Sequence, residues 1–417
     1  MNPIEQRVLD AIDVDGLLAF ICELVAIRSD EGKETPAQQF MAEKMRKMGL
    51  EVDVWELDFE KLSQHPSFST EIERENSLGV VGTLGSGNGA SLIFNGHIDV
   101  VPEGDPTNWH YPAWQGTVVD GKVYGRGALD MKGGLACGLF AAKAIQDAGV
   151  NLKGKLMIES VIAEEDGGAG ALATVLRGYK ADAAVIMEPT HLTIVPAHAG
   201  ALNFRLTVPG RAAHGALRTE GVDPIEKFIP LFQALRVFEK EHNAAYRNSL
   251  FDSYDLAYPI CIGTIQAGNW ASTVAESLTC EGRYGVAVGE NITAARQAFE
   301  DVINRAAQAD DWLRDNPPTV EWWGGQFEPA SIPADHPIVG TVGTAFTDIA
   351  GRQPVLRGVT AGTDMRLLVN DGETPTLLFG PGDLRKAHQP DEFVPVDDLL
   401  VVVRTLALTA LRFCGYE

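Results

Sequence analysis

The run Ser91-Leu-Ile-Phe-Asn-Gly-His-Ile-Asp-Val sets an imidazole, His97, and a carboxylate, Asp99, two residues apart at the end of an apolar strand. Side chains at i and i+2 of a strand point to the same side, so Asp99 could hold the ring of His97 while the other ring nitrogen binds a cation. The triplet alone is weak. Its weight rises because further acids follow at the ends of later predicted elements, namely Asp130, the pair Glu164-Glu165, and Glu188, with His388 near the C-terminus. Glu164 and Glu165 cannot share a face while a strand continues, but Asp166-Gly-Gly releases the backbone there. One acid could then bind metal while its neighbour faces a bound water. Two divalent cations about 3.5–4 Å apart would share a bridging carboxylate, polarise an amide carbonyl and acidify the water between them. A free glutamate beside that water would take its proton and pass it to the leaving nitrogen.

Each residue also has a plainer reading. An Asp just before a helix, as at Asp130, is most often an N-cap. Glu164-Glu165-Asp166 reads as a solvated acidic turn, His97 as a satisfied core histidine, Glu188 as a surface acid, and His388 as an exposed loop histidine. Their joint placement at one edge of one sheet favours the dinuclear reading.

The elements that would position them follow from periodicity and turn residues. Residues 15–28 and 35–48 read as helices, and 52–57, 78–84 and 92–99 as strands, the last two joined by the Gly85-Ser-Gly-Asn-Gly turn. From Asp130 the pattern alternates: a helix to about 148, a strand over 155–164, a helix over 169–178, a strand over 183–187. Such alternation predicts a mostly parallel sheet covered by helices on both faces, with ligands outside the carboxyl ends of the strands. Near residue 200 the style changes. A strand over 201–208, a helix opening at Asp223-Pro224 with Glu226 completing an acidic capping box, strands over 261–267 and 277–288, and a helix over about 293–313 describe an inserted α+β, ferredoxin-like layer. A helix over 337–349, strands over 355–360 and 376–379, and a closing helix over 396–413 resume the first style. The expected domains are 1–200 with 330–417, and an insertion over 201–329.

Composition narrows the class. A chain of 417 residues exceeds what one core usually serves. A formal charge of −23 argues against nucleic acid and against an anionic membrane surface as partners. The five cysteines (Cys22, Cys137, Cys261, Cys280, Cys414) are odd in number and scattered in apolar stretches, so free thiols in a reducing compartment are expected. No basic-then-apolar leader pattern opens the chain, and a cytoplasmic protein is the expectation.

The motifs NGHIDVVPEGD, GRGALDMKGG, AEEDGGAG, MEPT, PGRAAHGA, AGTDMR and FGPGDLRKAHQPDEFV, in this order over nearly the whole chain, resemble the dinuclear zinc amidohydrolases and metallopeptidases that include aminoacylase, acetylornithine deacetylase, succinyl-diaminopimelate desuccinylase and glutamate carboxypeptidase. The resemblance implies a zinc-peptidase-like catalytic domain with a lid and dimerisation insertion. It implies that His97 and Glu188 bind one metal, Glu165 and His388 the other, and Asp130 bridges. Asp99 would orient His97, Glu164 would be the general base and acid, and a cis peptide would fall at Asp130-Met131. The set suits two zinc ions, with cobalt or manganese as alternatives. In dimeric members the histidine matching His214 reaches the partner's active site to stabilise the oxyanion, and Arg283 matches a lid arginine that clamps a substrate carboxylate. This sequence departs from the pattern at Ser272-Thr-Val-Ala, where many members carry an asparagine followed by Val-Ile-Pro or Val-Pro, and at Gly215, where serine is frequent. Trp270, Trp322 and Trp323 could line a pocket, although such residues more often pack a core.

The expected function is metal-dependent hydrolysis of a non-terminal-peptide amide, first of all the deacylation of an N-acyl amino acid or related N-acyl amine. The alternatives are a dipeptidase or carboxypeptidase, an N-carbamoyl or N-formyl amidohydrolase, and a non-catalytic binding protein. A homodimer formed through the insertion is the expected assembly.

Overall fold

The computed structural model describes every residue except Glu31 and Ser86. The turn expected over 85–89 therefore lies partly outside the described residues. Contacts divide the chain into two compact units, Met1–Ala197 with Ser331–Arg357 and Thr363–Glu417, and His198–Ala330 with Gly358–Gly362.

The first unit is built on a six-stranded sheet. Its strands are β1 (Glu51–Glu56), β2 (Leu78–Gly85), β3 (Leu92–His97), β4 (Lys155–Val161), β5 (Ala183–Ile186) and β6 (Thr376–Leu378), in the spatial order β1-β2-β4-β3-β5-β6. The four strands from β4 to β6 run parallel, and β1 and β2 add an antiparallel edge. Besides the shorter helices Pro3–Asp10 and Phe59–Leu62, its helices are α1 (Val14–Val25), α2 (Thr35–Lys47), α3 (Gly133–Asp147), α4 (Ala169–Arg177), α5 (Pro337–Ala350) and α6 (Val396–Cys414). Of these, α2 packs on β1 and β2, α3 on β3 and β4, and α4 on β2 and β4.

Every residue of β3 is buried, as a strand flanked by parallel neighbours and covered by helices requires. Gly96 faces Leu135 of α3, so alternation turns His97 to the opposite face. The glycine pair opening α3 permits its close approach, because a Cβ on Gly134 would lie 2.1 Å from the carbonyl oxygen of Met187. That contact fixes the chain just before Glu188.

Strand β4 separates β2 from β3, which follow one another in sequence but do not pair. Two expectations are corrected. Residues 355–360 form two isolated bridges, Ile194 with Leu356 and His198 with Val359, in place of a strand. There Gly358 donates its N–H to Leu250 O at 2.7 Å, which diverts the backbone from sheet geometry. The helix expected over 293–313 is two helices, Ile292–Gln308 and Asp311–Asp315, because the Asp310 carboxylate accepts the N–H groups of Trp312 and Leu313 and caps a new start.

The second unit has a four-stranded antiparallel sheet. Numbered along the chain, Gly200–Pro209, Ile260–Ala267, Ser277–Val286 and Thr319–Phe327 lie in the spatial order 2-3-1-4. Helix Pro224–Ala245 follows the first strand and helix Ile292–Gln308 the third, giving a ferredoxin-like β-α-β-β-α-β arrangement. Its core gathers Leu202, Phe204, Leu231, Tyr284 and Phe299. Trp322 packs edge-on against Phe204 and Phe299 and donates its indole N–H to Glu300, so it is a partly buried residue packed against the core of this unit. Trp323 lies under Arg205, whereas Trp270 is 73% exposed.

All five cysteines are free; Cys137, Cys280 and Cys414 are buried, Cys22 is half-buried and Cys261 is exposed. No described helix is long and apolar enough to cross a membrane.

Candidate dinuclear metal centre

Five segments of the first unit, carrying His97 with Asp99, Asp130, Glu164 with Glu165, Glu188, and His388, meet outside the carboxyl ends of β3, β4 and β5. His97 is the last residue of β3 and 1% exposed. Its Nδ1 lies 2.9 Å from the backbone carbonyl oxygen of Asp99 and 3.6 Å from that residue's carboxylate. The backbone therefore makes the closer contact with the ring, where the sequence points to the side chain. The Asp99 carboxylate instead accepts the N–H of Glu165 at 3.1 Å through Oδ2, and its Oδ1 has no hydrogen-bond partner among the described residues.

Asp130 lies in a turn over Ala128–Lys132 with φ −119° and ψ 95°, outside helical geometry, and its peptide bond to Met131 is cis. Lys132 occupies the N-cap of α3 with no side-chain capping bond, so Asp130 does not cap that helix. Its Oδ1 is 3.3 Å from His97 Nε2 and its Oδ2 is 3.4 Å from His388 Nε2. One carboxylate thus faces both imidazoles.

Glu164 and Glu165 follow β4 in a turn that begins at Ala163, φ +64°. Asp166 anchors this turn. It accepts from both terminal nitrogens of Arg74, at 2.9 and 2.7 Å, from Thr70 Oγ1, and from the N–H groups of Glu71 and Ile72. Gly167, φ +146°, is required because a Cβ there would lie 2.2 Å from Ser69 O. Glu165 Oε1 is 3.1 Å from His388 Nε2, and Glu188 Oε1 is 3.7 Å from His97 Nε2. His388, φ +59°, is half exposed, whereas Glu164 and Glu188 are buried.

The electrostatics are those of a cluster short of positive charge. Burial raises Glu164 well above the carboxylate range, and Glu188, Asp364 and Glu165 add to this while His97 opposes it. Burial and Asp130 likewise raise Glu188. Burial alone would raise Asp130, but hydrogen bonds with His388 and His97 hold it below its ordinary value. The same bonds, with Glu165, push His388 up to about 10. Burial opposes protonation of His97, but Asp130, Asp99 and Glu188 raise it.

Protons held on two imidazoles and on several buried acids therefore offset the negative charge of the cluster where a dication would serve. Desolvating each unpaired carboxylate costs several kcal/mol. A ligand atom from each of His97, Glu164 and Glu188, and another set from His97, Asp130 and Glu165, lie within 4.8 Å of one another. The donor set fits divalent metal.

The same geometry reveals residues that the sequence reading left without a role. Asp364 of the AGTDMR motif is 1% exposed, and neither of its carboxylate oxygens has a hydrogen-bond partner among the described residues. Burial pushes it up to about 7 against the opposing Arg366 and His97. Its signal was a charged pair, Asp364 and Arg366, set directly before the apolar run Leu367-Leu-Val. In the second unit, exposed His214 pairs with Thr273 on a two-residue ladder, and its Nδ1 accepts the N–H of Ala216 at 3.1 Å. Partly buried Arg283 donates to Thr360 O at 2.5 Å.

Residues 93–412 match peptidase family M20/M25/M40. Over 404 residues the chain is 28% identical to N-formyl-4-amino-5-aminomethyl-2-methylpyrimidine deformylase of Bacillus subtilis, covering 91% of this chain and 89% of that one. Over 401 residues it is 29% identical to succinyl-diaminopimelate desuccinylase of Methylorubrum populi, covering 92% and 94%. It also resembles the structure of a dinuclear metal-binding M20 peptidase from Bacillus subtilis, with TM-score 0.61, 18% identity and coverage of 96% and 98%. Fold and site define a metal-dependent amidohydrolase acting on C–N bonds. The chain belongs to the M20/M25/M40 peptidase family.

Proposed function

We propose that this enzyme removes the acyl group from an N-acyl amino acid or related N-acyl amine at a pair of zinc ions. The supporting observation is the Asp130 carboxylate, with His97 Nε2 at 3.3 Å from one oxygen and His388 Nε2 at 3.4 Å from the other. In this reading His97 and Glu188 hold one ion, Glu165 and His388 the other, and Asp130 bridges. The bound metals supply Lewis-acid polarisation of the amide carbonyl and of water. Glu164, its carboxyl raised by burial, takes a proton from the attacking water and delivers it to the leaving nitrogen. Asp99 steadies both the His97 ring and the Glu165 backbone.

In the second unit we assign Arg283 to a substrate carboxylate. Its guanidinium is lowered by burial and has no ion pair with a carboxylate among the described residues, which supports an anionic ligand. His214 is proposed to stabilise the oxyanion across a homodimer, with the second unit as lid and dimerisation domain. The free cysteines agree with a cytoplasmic location.

A second reading, removal of an N-formyl group from an amine, is favoured by the deformylase relative. The test compares the metal-loaded protein on N-acetyl and N-succinyl amino acids, N-formyl amines, N-carbamoyl amino acids and dipeptides. Higher kcat/KM on N-acyl amino acids supports the first reading. Preference for a formyl amine lacking a carboxylate transfers the assignment to the second, and faster dipeptide cleavage overturns both.

A further inference from the structure

Glu392 lies four residues after His388, is 1% exposed, and belongs to no ligand set described above. Its two oxygens divide their work. Oε2 accepts from Arg126 Nη1 at 2.5 Å, and Oε1 accepts the N–H groups of Gly127, Leu129 and Asp130 at 2.9, 3.2 and 3.3 Å. Its own carbonyl accepts the N–H of Gly125 at 2.9 Å. Arg126, 2% exposed, also donates to Pro102 O and lies over the Trp109 ring, so the guanidinium is held in place from the other side.

Gly127, at the N-cap of the turn that carries Asp130, has no side chain with which to cap it. The buried N–H groups of this turn need an acceptor, and an unmet buried donor is costly. That acceptor sits on the segment that also carries His388. Immediately beyond it, Phe393–Pro395 pairs with Lys122–Tyr124 and fixes where the segment ends.

We propose that Glu392 is a positioning residue that sets the separation of Asp130 from His388, and through it the geometry of the second metal position. The inference rests on the dinuclear reading above. It predicts that Glu392→Gln, although isosteric, fails in this role, because its amide nitrogen must face either the backbone N–H groups or the guanidinium, donor against donor.

The test uses metal-stripped full-length protein, titrated with cobalt(II) and followed by its d–d absorption, with hydrogen exchange measured before metal is added. Wild type should take up two ions. Glu392→Gln should raise the midpoint for the weaker-held ion about 10–100-fold and accelerate exchange over 127–131. Glu5→Gln breaks another carboxylate–arginine pair, that with Arg412 at 2.7 Å, and should alter neither readout. A Glu392→Gln protein with wild-type second midpoint and wild-type exchange over 127–131 overturns the proposal. Uptake of fewer than two ions by wild type overturns the dinuclear reading, and the proposal with it. Should Glu392→Gln not fold, Arg126→Gln keeps the carboxylate without its guanidinium and is judged by the same two readouts.

Discussion

Replacing Asp99 by Asn is the most discriminating single change at the centre, because the structure divides two jobs between the main chain and side chain of that residue. The closer contact of His97 Nδ1 is the Asp99 carbonyl oxygen at 2.9 Å, which the substitution leaves in place; the carboxylate stands at 3.6 Å. Removing the carboxylate–imidazole partner of a ligating histidine commonly costs 10–100-fold in metal affinity or activity. With the carbonyl retained, the low end applies: about tenfold, or ~1.4 kcal/mol. The carboxylate also accepts the N–H of Glu165 at 3.1 Å. Asn preserves an oxygen there, so that bond falls from a charged to a neutral one, a loss of roughly 1 kcal/mol. Together these give about 10–60-fold weaker metal binding with the fold intact, measured by competition with a chromophoric chelator at fixed pH. A loss beyond about a thousandfold, more than a supporting residue usually costs, would show that the carboxylate rather than the carbonyl orients the ring. Unchanged affinity would show that it supports neither His97 nor Glu165.

Glu164→Gln should lower kcat by about 10²–10⁴ while two metal equivalents remain bound by elemental analysis; loss of metal would make Glu164 a ligand, a role its place beside His97 and Glu188 permits. His388→Ala should remove one equivalent and leave the ion at His97, and loss of both would overturn the two-position assignment. Metal uptake should release protons, because His388 is raised to about 10 and His97, Glu165 and Glu188 are also raised. Affinity then falls with falling pH, roughly tenfold per pH unit for each proton displaced, and calorimetry in buffers of different ionisation enthalpy reads this directly. In the metal-free protein the His388 contribution to stability is fully present below its ordinary value of 6.5 and is lost as pH rises through about 10; thermal melts that show no loss across this window would remove that ion pair. Mixing His214→Ala with Glu164→Gln should recover activity in heterodimers if His214 acts across a dimer, and no recovery with subunit exchange demonstrated would place its role within one chain.

The residue types at the centre were legible in the sequence because each follows a strand or turn signal that one chain segment contains. His97 ends an apolar run, Glu164 and Glu165 precede Gly167-Gly168, and Glu188 follows a short buried strand. The parallel sheet was legible for the same local reason, since alternating strand and helix patterns are repeated in sequence. Five elements of the second unit followed likewise from a strand-helix-strand-strand-helix pattern, whereas its closing strand Thr319–Phe327 was not read from sequence, and residues 358–362 join this unit through Leu250, Tyr254 and Arg283, which no local signal announces.

What the amino-acid sequence determined by itself is therefore the inventory of groups able to ligate a metal and the periodicity that sends them to one sheet edge. Tertiary structure decided how they are held. It put a backbone carbonyl closer than a carboxylate to the His97 ring, took Asp130 out of the helix it precedes, inserted β4 between β2 and β3, and delivered Glu392 from 262 residues away to the Asp130 turn. Orientation depends on backbone donors and acceptors that every residue carries. They bear no mark in the sequence until the chain has folded and brought them together.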